Sequence, residues 1–536
     1  MTLLCWHCRK SRVEDEDQTI NCVALEGGPC FPCREREAIR EKIEQLEEEI
    51  IKLKEKHRAL GGKANEVHDP FIHKFPPEIG SHIFRLCFPT LDFEDFHLWD
   101  KAAAFTGVLR LGAVCQKWRQ LAWATPSLWD TIYLDFPTWM KVPLVQWLPG
   151  LLREWLSRSG MRPLTIFFRY SGCPDEIDDY PPYDEFSDES TVFSLGSAAE
   201  SVIEIMNLHS GQWRNLHLDV GPYVPRGFCG SMQPNQLRSL ELGLDSSSGG
   251  SDTPKFVMKS KPFPTQLKLI RFSPTSIDIG WDKITRAILC NLYGDECLEV
   301  LRRIPALEYC FASPWSEATG EFGTTIHPHL RSLVTSSRGT TFLDAINVPS
   351  LKKWNHNTEG APLPVAAMLS LLQRSGCCLK RLNLQNILAP PDNLSDLFQA
   401  MPSLERLQLS FRSVRNADGV MDDILARIFN SPSSNSTIPS EDAGREYFLP
   451  YLQFMGCFTS CGTALFSWIH IPQLYRQGHR RSLTLKSAAE ESHISDEIAL
   501  QLLTLIDEGV DLQILDRTTK GGGDFLENFR KRVSSV

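Results

Sequence analysis

The sequence predicts an α/β repeat protein, with a helical N-terminal region followed by a long array of strands and helices built on a parallel sheet. Three observations predict it. The pattern Leu-x-x-Leu-x-Leu recurs from about residue 161 to the region of residue 510. A seam of apolar residues at heptad spacing runs from Ile39 to Leu60. Between the two, over 68–132, lie three short amphipathic segments that read as helices. The chain divides accordingly into a cysteine-rich leader (1–36), a helix (37–61), the three-helix unit (68–132), the repeat array (133–516) and a tail (517–536).

Composition narrows the classes. At 536 residues the chain exceeds one ordinary core, so several domains or a repeat array are expected. A hydrophobic fraction of 42% is enough for a packed interior and too high for a wholly disordered chain. The net charge of −10 argues against a general binder of nucleic acid or of anionic membranes. The start, Met1-Thr2-Leu3-Leu4-Cys5-Trp6, lacks a basic region followed by an apolar run, and no uninterrupted apolar stretch has membrane-spanning length. With no secretory signal, the 16 cysteines are expected to be thiols or metal ligands rather than a disulfide framework. A cytoplasmic or nuclear protein follows as the expectation.

The leader carries Cys5-Trp6-His7-Cys8, Cys22, and Cys30-Phe31-Pro32-Cys33. Two C-x-x-C knuckles suit tetrahedral zinc, because a two-residue gap lets both thiolates of a tight turn reach one ion. One structural zinc on Cys5, Cys8, Cys30 and Cys33 is one reading. A leader of surface thiols with no cofactor is the other. Cys5-x-x-Cys8-Arg9-Lys10-Ser11-Arg12 with Pro29-Cys30-x-x-Cys33 also resembles the fungal binuclear zinc cluster of transcription factors. That family needs six cysteines, and two of those places hold Asp15 and Arg40 here. DNA binding is disfavoured further by Glu14-Asp15-Glu16-Asp17, which stand where phosphates would need cations.

The next helix is expected from about Arg36 to Leu60, stopped by Gly61-Gly62. Ile39, Ile43, Leu46, Ile50, Leu53, His57 and Leu60 step by four and three, which is a coiled-coil seam. Ile43 and Ile50 at a, with Leu46 and Leu53 at d, favour a parallel homodimer. Lys42 then faces Glu47, and Glu49 faces Lys54, across the pair. The alternative is a solvated helix packed on its own protein.

In the three-helix unit, Phe75-Pro76-Pro77-Glu78-Ile79 opens a helix with prolines in its first turn, where a missing N–H costs nothing. Ile79, Ile83, Leu86 and Cys87 form its apolar face. A second helix is expected to carry Val108, Leu111, Cys115, Trp118 and Ala122, and Thr125-Pro126-Ser127-Leu128-Trp129 reads as a cap and a third helical turn. Residues 89 to 107 read as a surface insertion.

Phe75-Pro76-Pro77-Glu78-Ile79-x-x-x-Ile83-Phe84, Leu109-Arg110-Leu111-x-x-Val114-Cys115-x-x-Trp118-Arg119-x-Leu121-Ala122 and Pro126-x-Leu128-Trp129 together resemble the F-box family. Gly80 stands where that family usually has a large aliphatic residue. The resemblance implies docking on a Skp-type adaptor and, through it, on a cullin ubiquitin ligase. It implies adaptor contact by Phe75, Pro76, Pro77, Glu78, Ile83, Val114, Trp118, Leu128 and Trp129.

Copies of the strand template begin at Trp213, Leu237, Leu267, Leu379, Leu404 and Leu449, with weaker ones at Met161, Leu307, Leu330, Leu351, Arg480 and Gly509. Most steps lie near the period of leucine-rich repeats, whose helix–strand units bury an apolar face only by stacking. Leu151 to Gly160 resembles Met368 to Gly376, each a helix ended by glycine ahead of a strand. The acidic Pro174–Ser190 stretch and the serine-rich Ser431–Asp442 stretch read as inserted loops. Residues flanking the buried leucines should line the opposite sheet face and meet an unknown target protein, with His217, Arg271, Arg381 and Arg406 as anchors.

Neither a G-x-S-x-G elbow, a P-loop, a G-x-G-x-x-G nor an H-E-x-x-H occurs, and no His–Cys or His–Asp spacing suggests a nucleophile. The function the F-box resemblance implies is a non-catalytic substrate adaptor of a ubiquitin ligase. The alternative is a zinc-binding, coiled-coil transcription or chromatin regulator.

Overall fold

The computed structural model describes residues 31–68, 75–95, 97–136, 142–170, 189–221, 224–244, 254–320, 323–336, 339–388, 391, 393–412, 423–428, 448–459, 471–472, 484–489, 495–516 and 524–534. The Pro174–Ser190 loop, apart from its last residues, and the Ser431–Asp442 loop lie outside them. Contacts divide the chain into two units, Met1–Cys87 with Gly107–Thr125, and Phe88–Thr106 with Pro126–Val536. The N-terminal helices are α1 (Phe31–His68), α2 (Pro77–Leu86), α3 (Leu98–Ala103), α4 (Val108–Val114) and α5 (Gln116–Trp123). All but α3 belong to the first unit.

Helix α1 is longer than its caps suggested. It starts at Phe31 and passes through Gly61 and Gly62 to His68. Two glycines cost about 1 kcal/mol each in a helix interior, and the turns on either side outweigh that. Its seam is open among the described residues: Ile43, Leu46, Ile50 and Leu53 are all about half exposed.

The expected second helix of the three-helix unit is two helices. Cys115 is extended (φ −156°, ψ 172°), and its Sγ accepts the Trp118 N–H at 3.4 Å as the N-cap of α5. Phe84 of α2 packs on Trp118 with ring centroids 4.9 Å apart. Arg119 Nε donates to the Gly112 carbonyl at 2.8 Å, and the Ser81 and Thr125 hydroxyls share a hydrogen bond of 2.8 Å. Phe84 and Gly80 are the buried residues of α2, while Ile79 and Leu86 of its apolar face are exposed. A large residue in place of Gly80 would therefore enter the interior instead of meeting a partner.

The second unit is built on a fourteen-stranded sheet among the described residues. Its strands are β1 (Thr131–Phe136), β2 (Leu164–Tyr170), β3 (Trp213–Val220), β4 (Ser239–Leu244), β5 (Gln266–Ile270), β6 (Arg286–Cys290) and β7 (Tyr309–Ser313). They continue as β8 (Ser332–Ser336), β9 (Lys353–Asn357), β10 (Arg381–Ile387), β11 (Arg406–Phe411), β12 (Phe454–Thr459), β13 (Thr484–Ala489) and β14 (Leu512–Asp516). Sheet order is chain order, and every pairing is parallel. The parallel sheet is the one expected, because each strand is reached through a helix or a long connection.

The template leucines face a core: Leu216 and Leu218, Leu240 and Leu242, Leu382 and Leu384, Leu407 and Leu409 are buried and in register. Helices such as Val142–Ser159 and Val365–Ser375 precede strands. The left-handed residues Gly160 (φ 60°) and Gly376 (φ 56°) close them, a conformation that costs glycine little. Two copies of the template are out of register by three residues, the Leu267 copy late and the Leu449 copy early. Leu240 pairs with Leu267, and Leu407 with Met455, so the strands use Leu267 and Leu269, and Met455 and Cys457, as their inward residues. Strand β6, with Ala287 and Leu289 buried, fills the wide gap left between the copies at Leu267 and Leu307. An alanine at the first inward position hid it.

Candidate functional site

Two surfaces carry the candidate residues, one on each unit. On the first, Phe75, Pro76, Pro77 and Glu78 are exposed and Ile83 is half-buried. Ile79 is 45% exposed, Leu86 69%, Leu109 38% and Val114 49%, an unusual amount of bare aliphatic surface on two short helices, α2 and α4. Trp118 is half-buried against Phe84, holding α2 and α5 together, so its contribution to any contact is partly indirect. Leu128 and Trp129 are fully buried in the second unit. The Trp129 ring packs edge-on against Trp155 at 4.7 Å, and its carbonyl accepts the Trp155 indole N–H at 2.9 Å. They are core residues and offer no surface to an adaptor.

On the second unit, the sheet face opposite the template leucines is made by every other residue of each strand. Its first half is covered. Residues 88–106, nearly the stretch 89–107 read from sequence as a surface insertion, lie on it: Leu98, Ala102 and Phe105 are buried, and Leu98 and Ala102 form a cluster with Phe167, flanked by Leu91, Trp99 and Tyr133. Trp99 stands edge-on to Phe167 at 5.2 Å, and the Arg169 guanidinium sits 4.7 Å over its ring. Glu94 pairs with Arg286 of β6. The spacing Leu98, Ala102, Phe105 was the available signal, a helical period inside a stretch whose acidic start suggested solvent.

Beneath this cover His217, Glu241 and Lys268 lie side by side on β3, β4 and β5, all buried. Glu241 accepts from Lys268 Nζ at 3.0 Å, meets His217 Nδ1 at 2.7 Å, and accepts the Trp99 indole N–H at 3.2 Å. Burial pushes the Glu241 carboxyl up, but the His217 hydrogen bond and the Lys268 charge outweigh it and hold the group at about 2. His217 therefore contacts no target; it is one third of a closed charge network. Arg271 is displaced as well. It follows β5 in a left-handed turn (φ 57°), a result of the register slip at Leu267.

Arg381 and Arg406 are exposed and paired residue for residue on β10 and β11. Lys353 of β9 is in register with Arg381, extending the row to three cations. It was legible in the template, being the residue just before an inward Trp354 as Arg381 precedes Leu382. The cysteines of the sheet offer no nucleophile: burial pushes Cys290 up to about 11 and Cys310 up to about 12. Cys5, Cys8, Cys22 and Cys30 lie outside the described residues, and Cys33 sits in the first turn of α1. Among the described residues no group of three metal-ligating side chains forms, and no helix is long and apolar enough to cross a membrane.

The family described as F-box-like matches residues 72–135 of this chain. The match spans α2, α4 and α5 of the first unit and continues into β1 of the second. No curated protein matches the chain.

Proposed function

We propose that the chain is a non-catalytic substrate receptor of a Skp–cullin–F-box ubiquitin ligase, in which the F-box-like helices hold a Skp-type adaptor and a leucine-rich-repeat array holds the target. The observation that carries the adaptor half is the bare aliphatic surface of Ile79, Leu86, Leu109 and Val114 on helices matched by the F-box-like family. Exposed aliphatic side chains on short helices are what a helical partner would cover. The strand–connection periodicity and the in-register leucines support the repeat reading. The ligase reading goes with a cytoplasmic or nuclear chain that needs no cofactor beyond a structural zinc on the leader. The exposed heptad seam of α1 supports self-association as a parallel pair.

Capture of a purified Skp-type adaptor by the full chain tests the proposal. Ile79→Asp with Val114→Asp should weaken capture at least about a hundredfold, since two charges would be buried unpaired. Equal capture by this variant and the wild type, or no capture by the wild type, overturns it.

A further inference from the structure

With residues 88–106 lying on strands β1 to β6, the exposed part of the polar sheet face begins at β7. There Glu94 of the covering segment forms one wall of a hollow of about 390 Å³, with Tyr309, Phe311 and Val334 among its floor and Asn355 and Gln385 further along. Next to it runs the basic row, Lys353, Arg381 and Arg406, on three adjacent strands. Among the described residues no carboxylate pairs with Lys353 or Arg381, and the nearby Glu405 is held by Lys380 at 2.6 Å. Arg406 lies 4.3 Å over the Phe454 ring, which orders its guanidinium without neutralising it.

We propose that this face binds an extended acidic segment of a partner protein, an apolar side chain entering the hollow and carboxylates two or three residues further on meeting the basic row. The inference rests on the target-receptor reading above and names the target's chemistry. Spacing supports it. Neighbouring strands are about 4.8 Å apart, so β7 to β11 spans about 19 Å, the length of roughly six extended residues. From the hollow floor on β7 and β8 to Lys353 on β9 is about 5–10 Å, or two to three residues. Aligned guanidinium groups favour carboxylates, which they can hold through two hydrogen bonds each. The amides of Asn355 and Gln408, two residues along their strands from Lys353 and Arg406, can meet the backbone N–H and C=O groups of such a segment. A charge of −10 on the whole chain makes the row a local exception, and Glu94 at the hollow disfavours a polyphosphate.

The test uses the full chain and fluorescein-labelled peptides read by anisotropy. The acidic probe is Leu-Ser-Ser-Glu-Asp-Glu, its neutral counterpart ends in Gln-Asn-Gln, and a short oligothymidine represents nucleic acid. The acidic probe should bind in the range of about 10–100 μM, and the neutral one at least about tenfold more weakly. Lys353→Glu with Arg381→Glu should abolish binding, and Lys353→Gln with Arg381→Gln should reduce it about tenfold without adding repulsion. Lys259→Glu, an exposed charge change elsewhere on the unit, should leave it unchanged. Equal affinity for the neutral probe, tighter binding of oligothymidine, or indifference to both double variants overturns the inference. Adaptor capture by the same preparations separates the two claims. Capture retained without peptide binding defeats only the acidic-segment assignment, and peptide binding without capture defeats only the ligase assignment.

Discussion

A single buried triad shows how much one residue's neighbours decide. Sequence alternation assigns His217 to the polar face, and that is correct, but alternation says nothing of what covers the face. The cover is Trp99, more than a hundred residues earlier in the chain, and the bond from its indole to Glu241 closes the network. Removing one charge from such a buried group leaves the others uncompensated, so Lys268→Met should destabilise the chain by about 3–5 kcal/mol in urea unfolding. The triad also predicts a pH dependence. Glu241 has a folded-state pKa of about 2, below its ordinary value of 4.5. Its contribution is therefore complete above about pH 4.5 and is lost as pH falls towards 2. The stability difference between wild type and Glu241→Gln should shrink over that window. A difference that persists unchanged at pH 2 would show that the carboxylate is not the group responsible.

Elements were more legible than their ends. The strands and the glycine-closed helices follow from periodicity, because burial on one face imposes it, and the parallel pairing follows from the connections between strands. What local pattern could not supply was register. Leu267-x-x-Ile270-x-Phe272 fits the template as well as the strand that forms, and only pairing with Leu240 and Leu242 decides between them. The same limit applied to α1, where Gly61-Gly62 looks like an end and lies inside the helix. That extension changes the argument for self-association. Counting on from Leu60, the seam positions continue at Ala64 and Val67, and Glu35 and Arg40 add a third opposite-sign pair to Lys42–Glu47 and Glu49–Lys54 across parallel helices. A longer seam with complementary flanks should give a dimer by sedimentation at roughly 10 μM, and Leu46→Glu with Leu53→Glu should give a monomer. In a parallel, in-register pair the two copies of position 46 meet, so Leu46→Cys should form an intermolecular disulfide that wild type does not. A dimer without that crosslink would mean an antiparallel pair.

At the scale of the molecule, strand order that equals chain order means each strand of the sheet touches only its neighbours. Stability in such a sheet is nearest-neighbour, so damage in one place should remain near that place. The covering segment 88–106 is the exception. It joins residues close to the F-box-like helices in sequence to the faces of β2, β4 and β6 through Phe167, Glu241 and Arg286. Replacing Trp99 by alanine removes the ring that packs on Phe167 and the donor to Glu241, so about 3–5 kcal/mol should be lost if the site does not collapse. Because the contacts are local, amide exchange should rise in β2 to β5 and remain at wild-type rates in β9 to β11, where the basic row stands. Acidic-peptide binding by Trp99→Ala should then survive at temperatures where the first strands still hold. Exchange rising evenly from β1 to β14 would instead make the sheet one cooperative block, with the cover acting on its distant half as strongly as on the strands it touches.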